Sequence, residues 1–469
     1  MNSVSREIYE VFDKYGKLLA SQPYPLGAEV RLILDTEEGV YGTKKNVKLG
    51  KLKWSDIVKM ADGHMGTYKT GMVARVVSQT PYCQQCLQEG VEFRAMLDDM
   101  AMIIGPEAVI VNMTNPNKRK AAAEMAKAAV NASGFFVQDR IVDGKPAGYT
   151  LTLGRNLYEA VNSVIILEKC AEIALKSRVI GGCKPGSKFA AKQTRMKYLD
   201  SYSAAEAEVR AAEMKADSKV KAEVSDEVDE LEDYEKEFYG IMEEEPAEEA
   251  AAVQEAAEET VEEIMEELAE AEEAEVSPWN EAETAARKTL VEYGNKLVET
   301  GLVQGTWGNL SIRLDREYML VTPSGLDYSR LTPSDMVKVN MNTMKHEGSL
   351  KPTSEKGLHA AIYKLRPDLG AIVHTHSRYC SIFAAAHQDL TVENPEAQKV
   401  FGTSVSLAKY AKAGTDKLAK FTAAAVGSNF GALMSNHGMT ACGADMETAF
   451  KNAQLLEQAA EEYIESRWK

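Results

Sequence analysis

The chain has 469 residues, 45% of them hydrophobic, and a formal net charge of −17. That length accommodates two or three domains with sizeable cores. No apolar run approaches the roughly 18–20 residues of a membrane span, and Met1-Asn2-Ser3-Val4-Ser5-Arg6-Glu7 lacks the charged-then-apolar layout of a signal peptide.

The acidity tells against a nucleic-acid partner, yet it is concentrated. Residues 241–276 hold sixteen Glu and no Lys, Arg or Asp, and setting them aside leaves a formal charge of −1. The folded parts are therefore nearly neutral.

In chain order, Glu7 to Ala20 reads as an amphipathic helix. Cys83 and Cys86 form a lone CxxC; without a second pair or a nearby histidine, small buried thiols are the plainer reading than a metal or redox site. Six cysteines at irregular spacings suit a reduced, cytoplasmic protein better than a disulfide framework. Residues 201–278 read as an acidic Ala- and Glu-rich linker without the apolar mass for its own core. Within it Val261, Ile264, Met265 and Leu268 have the spacing of a transient helix, and an acidic docking tail is the sharper alternative. Then come a helix from Ala285 to Thr300, a strand-like run Tyr318-Met319-Leu320-Val321-Thr322, and a helix from Glu355 to Leu365. The apolar run Gly370-Ala371-Ile372-Val373 leads into His374-Thr375-His376, and a last helix spans Met446 to Arg467. Strands mixed with helices indicate an α/β or α+β sheet covered by helices.

Residues 1–200 and 279–469 can be laid over one another. Tyr15-Gly16 falls on Tyr293-Gly294, Ser55-Asp56 on Ser334-Asp335, His64, Tyr68 and Lys69 on His359, Tyr363 and Lys364, and Tyr82-Cys83 on Tyr379-Cys380. Near the ends, Gly154, Ala160 and Glu168 fall on Gly443, Ala449 and Glu457. The preserved order argues for a duplicated domain whose loops have gained and lost residues. In that overlay His374 meets Val77, His376 meets Gln79 and His437 meets Gly148, so the first half lacks the histidines.

Residues i and i+2 of a strand share a face, so His374 and His376 converge on one point. Two imidazoles so placed are half of a metal site suited to zinc and its divalent neighbours. His437, at the edge of the apolar run Leu433-Met434-Ser435-Asn436-His437-Gly438, is by itself more often a satisfied core or surface residue. Beside the pair it becomes a candidate third ligand, leaving an open position as catalytic zinc sites do. Glu355 heads a helix, where it can favour the helix dipole or serve as a base. Thr353 and Ser354 can cap that helix or meet an anion. The turns Gly305-Thr306-Trp307-Gly308-Asn309-Leu310-Ser311 and Thr322-Pro323-Ser324-Gly325 are ordinary turns or further oxyanion donors.

The order GTWGNLS, TPSG, PTSE-xxx-H, HTH and NHG resembles the class II aldolase/adducin family over the second half. The resemblance implies a central, mainly antiparallel sheet flanked by helices, present twice here and joined by the acidic linker. It implies a divalent metal, zinc first, on His374, His376 and His437, with Glu355 as acid/base. A phosphate cradle would draw on Gly308, Asn309, Ser324, Gly325, Thr353 and Ser354. The implied activity is fuculose-phosphate-aldolase-like, cleaving or forming a C–C bond of a ketose phosphate through an enediolate. Glu355 favours this over the family's 4-epimerases, which usually carry Asp there. A decarboxylase or dehydratase of the family, or an adducin-like structural protein, are the alternatives. Family aldolases use a tyrosine from a neighbouring subunit in the stretch soon after the HTH strand, and Asp389 to Gly402 contains none. The expected partners are a small phosphorylated sugar and further copies of the chain, in a homo-oligomer that includes the degenerate first half; nucleic acid and membrane are not among them.

Overall fold

The opening helix forms where the apolar spacing predicts it. Ser5 caps it by accepting from the Ile8 amide, and Ile8, Phe12, Tyr15 and Leu19 bury one face. The computed structural model describes residues 4–60, 72–114, 117–129, 132–202, 279–303 and 307–468. His64, Tyr68, Lys69, Gly305, Thr306 and the acidic segment beyond residue 202 lie outside the described residues.

The first half runs α1 (Arg6–Ala20), β1 (Arg31–Thr36), β2 (Gly39–Thr43), β3 (Ile57–Lys59), β4 (Ala74–Ser78), α2 (Pro81–Glu89), β5 (Phe93–Arg94) and α3 (Asp98–Ile103). It continues through β6 (Glu107–Asn112), α4 (Lys118–Ala129), β7 (Gly134–Val142), β8 (Lys145–Gly154), α5 (Leu157–Lys176) and α6 (Lys188–Lys197). The second half comprises α7 (Glu281–Glu299), β9 (Gly308–Arg313), β10 (Tyr318–Val321), β11 (Val337–Asn340), α8 (Lys356–Leu365), β12 (Ala371–Thr375), α9 (Arg378–Ala386) and β13 (Leu390–Thr391). It ends with α10 (Pro395–Phe401), β14 (Ser404–Val405), β15 (Leu407–Ala408), α11 (Asp416–Val426), β16 (Gly431–Met434), β17 (Gly438–Gly443) and α12 (Met446–Glu465).

The first sheet has the order β3-β2-β1-β4-β8-β7-β6-β5 and the second β11-β10-β9-β12-β17-β16-β15, so seven strands correspond one for one. Both sheets are mixed, which corrects the expectation of a mainly antiparallel sheet. β6 pairs with β7 in parallel and so does β15 with β16, among otherwise antiparallel neighbours. The cause is the intervening helix: α4 and α11 are crossovers that return the chain in its original direction. Ala74 stands opposite Gly154 in the first sheet and Ala371 opposite Gly443 in the second, which puts Val77 and His374 in equivalent places.

Each sheet buries one face under its helices, the first around Phe12, Leu32, Val76 and Val161, the second around Val339, Ile362, Ile372 and Met434. A further contact recurs in both. Glu168 accepts from the amides of Tyr82 and Cys83, and Glu457 from those of Tyr379 and Cys380, so a buried carboxylate seats the first turn of α2 and of α9. Cys83 and Cys86 are buried thiols on α2.

The described residues of Met1–Asp200 and Ala286–Lys469 together form one compact unit. Nearly all of α5 is buried, because within this unit it packs on its own sheet on one side and on α9 on the other. Among the described residues no helix is long and apolar enough to cross a membrane.

Candidate metal centre and active site

His374 and Thr375 close β12, a strand paired with β9 on one side and β17 on the other and buried along its whole length. His376 follows directly. His437 stands in the tight turn between β16 and β17, where its amide donates to Met434 O at 3.0 Å. That turn needs Asn436 in the left-handed region, φ 56°, a conformation asparagine tolerates better than most residues. It also needs Gly438, since a Cβ there would stand 2.4 Å from Thr375 O and 3.1 Å from the His376 ring. The left-handed Asn436 and the bare Gly438 thus let the His437 turn press against the His376 segment.

The three histidines offer ligand atoms within 4.8 Å of one another, all from buried side chains. Two of the imidazoles, His374 and His437, are oriented by their other nitrogen. His374 Nδ1 donates to Met439 O at 2.8 Å, which leaves the Nε2 lone pair pointing at His376 Nε2, 3.2 Å away. His437 Nδ1 lies 3.0 Å from Asp98 Oδ2, which likewise frees Nε2. The Trp307 ring tilts over His376 at 5.9 Å between centroids.

Glu355 occupies the N-cap position of α8 but makes no capping hydrogen bond. Its carboxylate turns inward instead, with Oε2 3.0 Å from His374 Nε2 and Oε1 2.9 Å from His437 Nε2. Asn309 Nδ2 donates to Oε2 at 3.1 Å. Glu355 Oε1 and His437 Nε2 are buried with no well-formed hydrogen bond of their own. With the three imidazoles neutral, their lone pairs and those of the carboxylate face one point. That donor set fits a divalent cation on the three histidines.

The electrostatics of the protein without a metal agree. Burial works against charge on Glu355, but His374 and His437 hold its carboxyl well below the usual range. Burial also disfavours the His437 imidazolium, yet Glu355 and Asp98 push it up to about 10. Burial, together with His437, drives His376 down to about 3 against the pull of Asp99. A single positive charge is thus favoured at the centre of the site, where a metal would carry it.

The implied phosphate residues lie along neighbouring strands and loops. Gly308 pairs with Thr375 across β9 and β12. The Ser324 amide donates to Lys351 O, the Thr353 amide to Thr322 O, and Pro323 bridges to Pro352, so the Ser324-Gly325 turn runs beside Thr353-Ser354. Thr353 Oγ1 accepts from the Glu355 amide at 3.2 Å. Asn309 is committed at both ends, donating to Glu355 and accepting from His359 Nε2 at 2.5 Å. His359 in turn accepts from Ser311 Oγ at 2.6 Å, a tautomer fixed because the Asn309 oxygen only accepts. Burial lowers the His359 pKa to about 3, which keeps this bracket neutral.

Three residues of the first half that sequence reasoning missed also meet the site. Asp98 touches His437. Asp99 Oδ2 is 3.6 Å from His376 Nδ1, and Lys169 donates to Asp99 at 2.6 Å and to His376 O at 2.9 Å. A signal was available in the overlay. On the register that aligns α2 with α9, Asp98 and Asp99 fall opposite Pro395 and Glu396, within the Asp389–Gly402 stretch searched for a tyrosine. In the first half the equivalent stretch supplies the aspartate, Asp98, that meets His437. The hydroxyl that reaches it is Tyr410, donating to Asp98 Oδ1 at 3.4 Å.

The family model for the Class II Aldolase and Adducin N-terminal domain matches residues 288–464. An L-fuculose phosphate aldolase of Escherichia coli is 35% identical over 177 residues, covering 38% of this chain and 81% of that protein. A 5-deoxy-D-ribulose 1-phosphate aldolase of Bacillus thuringiensis is 35% identical over 186 residues, 39% of this chain and 85% of that protein. A solved L-fuculose 1-phosphate aldolase aligns with a TM-score of 0.38 and 35% identity, over 39% of this chain and 86% of that one.

Proposed function

This chain belongs to the class II aldolase and adducin family and is an aldolase-type lyase, and we propose that residues 279–469 are its catalytic domain, acting on a small ketose phosphate. Residues 1–200 are, in this reading, a degenerate copy without metal ligands, and 201–278 an acidic linker. The observation that carries the reading is the convergence of His374, His376 and His437 on one point, with Glu355 against His374 and His437, and with Glu355 Oε1 and His437 Nε2 buried and lacking well-formed hydrogen bonds.

The histidines would hold a divalent ion, zinc first, which when bound supplies Lewis-acid stabilisation of negative charge developing on substrate oxygen. Glu355 is the acid/base. Asn309 occupies its Oε2, so Oε1 is the atom that takes or returns the proton at the carbon becoming carbanionic. The bracket Ser311–His359–Asn309 keeps that carboxylate from swinging back to cap α8. Gly308, Ser324, Gly325, Thr353 and Ser354, with the second N–H of the Asn309 amide that Glu355 does not use, would receive the phosphate through neutral donors, in keeping with the small residual charge outside the acidic segment. The names of the two relatives, both aldolases of a sugar phosphate, support this substrate class. Six free thiols support a reducing, cytoplasmic setting, and a homo-oligomer that includes the first half remains part of the reading.

Metal-loaded protein incubated with dihydroxyacetone phosphate in deuterated water tests it, with exchange at the hydroxymethyl carbon followed by NMR. Exchange lost in His376→Ala and Glu355→Gln supports the aldolase reading. No exchange with metal demonstrably bound would move the assignment to a decarboxylase, dehydratase or epimerase.

A further inference from the structure

A carboxylate on the far nitrogen of a metal-binding imidazole fixes its tautomer and ring angle and raises its basicity. His374 has a backbone carbonyl in that role, supplied from within its own sheet. His437 has a side chain from more than three hundred residues earlier in the chain.

We propose that the first half completes the metal site of the second, with Asp98 as the positioning residue for His437. This rests on the reading of the three histidines as ligands and goes beyond it, because it gives a working part to a half that carries no ligand itself.

The contact is built from several directions. The Asp98 amide donates to Asn436 O at 2.8 Å. Asn436 Nδ2 donates to Met96 O at 2.8 Å and to Lys184 O at 3.0 Å, and its own amide donates to Ala384 O. The turn carrying His437 is thus gripped by backbone of the first half on both sides of the Asp98 carboxylate. Asp98 opens α3, and its Oδ2 faces His437 Nδ1 while Oδ1 receives the Tyr410 hydroxyl. Next along the helix, Asp99 is fully buried and paired with Lys169, whose ammonium also fastens the carbonyl of His376. Two of the three histidines are therefore held from the half that lost its own.

A surface contact would not look like this. Asp98 is 14% exposed and His437 4%, and the hydrogen bond joins the ring nitrogen opposite the one facing the other histidines. Removing the carboxylate leaves His437 Nδ1 without an acceptor and the ring free to adopt the wrong tautomer.

The test uses the full chain. Zinc affinity is measured by competition with a chromophoric chelator for the wild type, Asp98→Ala and Asp98→Asn, and the cobalt(II)-loaded proteins are compared by visible absorption. Asp98→Ala is expected to weaken zinc binding about 10- to 100-fold and to shift the cobalt bands. Asp98→Asn keeps an oxygen that accepts from Nδ1, so it is expected to recover most of both. Affinity within twofold of wild type in both variants overturns the proposal and leaves the metal reading standing. A wild-type chain that takes up no zinc overturns both. Should Asp98→Ala fail to fold, Asp98→Leu, which keeps the bulk but offers His437 Nδ1 no acceptor, takes its place: weaker zinc binding with shifted bands supports the proposal, and affinity within twofold of wild type with unshifted bands overturns it.

Discussion

The two halves share strand order, register and the buried glutamate that seats the first turn of α2 and of α9, yet only one has histidines at the centre of its sheet. The equivalent place in the first half is closed. Gln79 Nε2 donates to Gly148 O where His376 and His437 meet in the second half. A Cβ at Gly148 would stand 1.9 Å from Val137 O, because the strand opposite bulges between Gln138 and Arg140. No side chain fits there, so the third ligand cannot simply be restored. The comparison teaches that scaffold and chemistry separate: the shared contacts keep the fold, and the differing ones have been turned to holding the partner half.

Glu355→Gln strikes the difference hardest. It keeps the shape of the side chain but removes the base, and a loss of about 10²–10⁴-fold in proton exchange is expected. Retained exchange would remove the chemical contrast between the halves. Lys169→Met comes next. It leaves Asp99 as a buried carboxylate without its ammonium, so a stability loss of about 3–5 kcal/mol is expected in urea unfolding. A change below about 1 kcal/mol would show that water reaches Asp99 and that the seam is looser than drawn.

Gly148→Ala probes the closed site directly. The added methyl meets backbone, and a cost of about 1–3 kcal/mol is expected, read as a lower denaturant midpoint. A neutral outcome would mean that the bulge relaxes and that the first half could still accept a ligand.

The smallest effect concerns pH. Burial opposes the charge of Glu465, but Lys176 and Tyr379 hold its pKa below the usual 4.5. Its stabilising contribution is therefore present above that value and is lost as pH falls through the lowered one. Because Glu465 is 40% exposed, water screens the pair, and no more than about 1 kcal/mol should disappear. The check is whether Glu465→Gln flattens the acid limb of a stability–pH curve by that amount.

Much of this was legible in one dimension. Strand periodicity alone brought His374 and His376 to one face, and the overlay assigned Val77, Gln79 and Gly148 to the places that β4, β8, β12 and β17 give them. Glu355 was ambiguous for a good reason: an acidic residue at a helix start has a local use, and only the inward turn of its side chain decides against it. The parallel pair in each sheet was missed because apolar runs do not reveal strand direction. Asp98, Asp99 and Lys169 were missed for a different reason. Charged residues on helix surfaces look alike in sequence, and their importance comes from docking onto residues far along the chain, where no local pattern records them.

The grip of residues 96–98 on the turn at 435–437 also orders events in time. The ribosome releases the acceptor carboxylate long before the imidazole it serves. A chain interrupted before residue 437 has the bracket and no third histidine, whereas one begun after residue 99 has the histidines and no bracket. Tight uptake of the ion would then certify a chain that is both complete and closed.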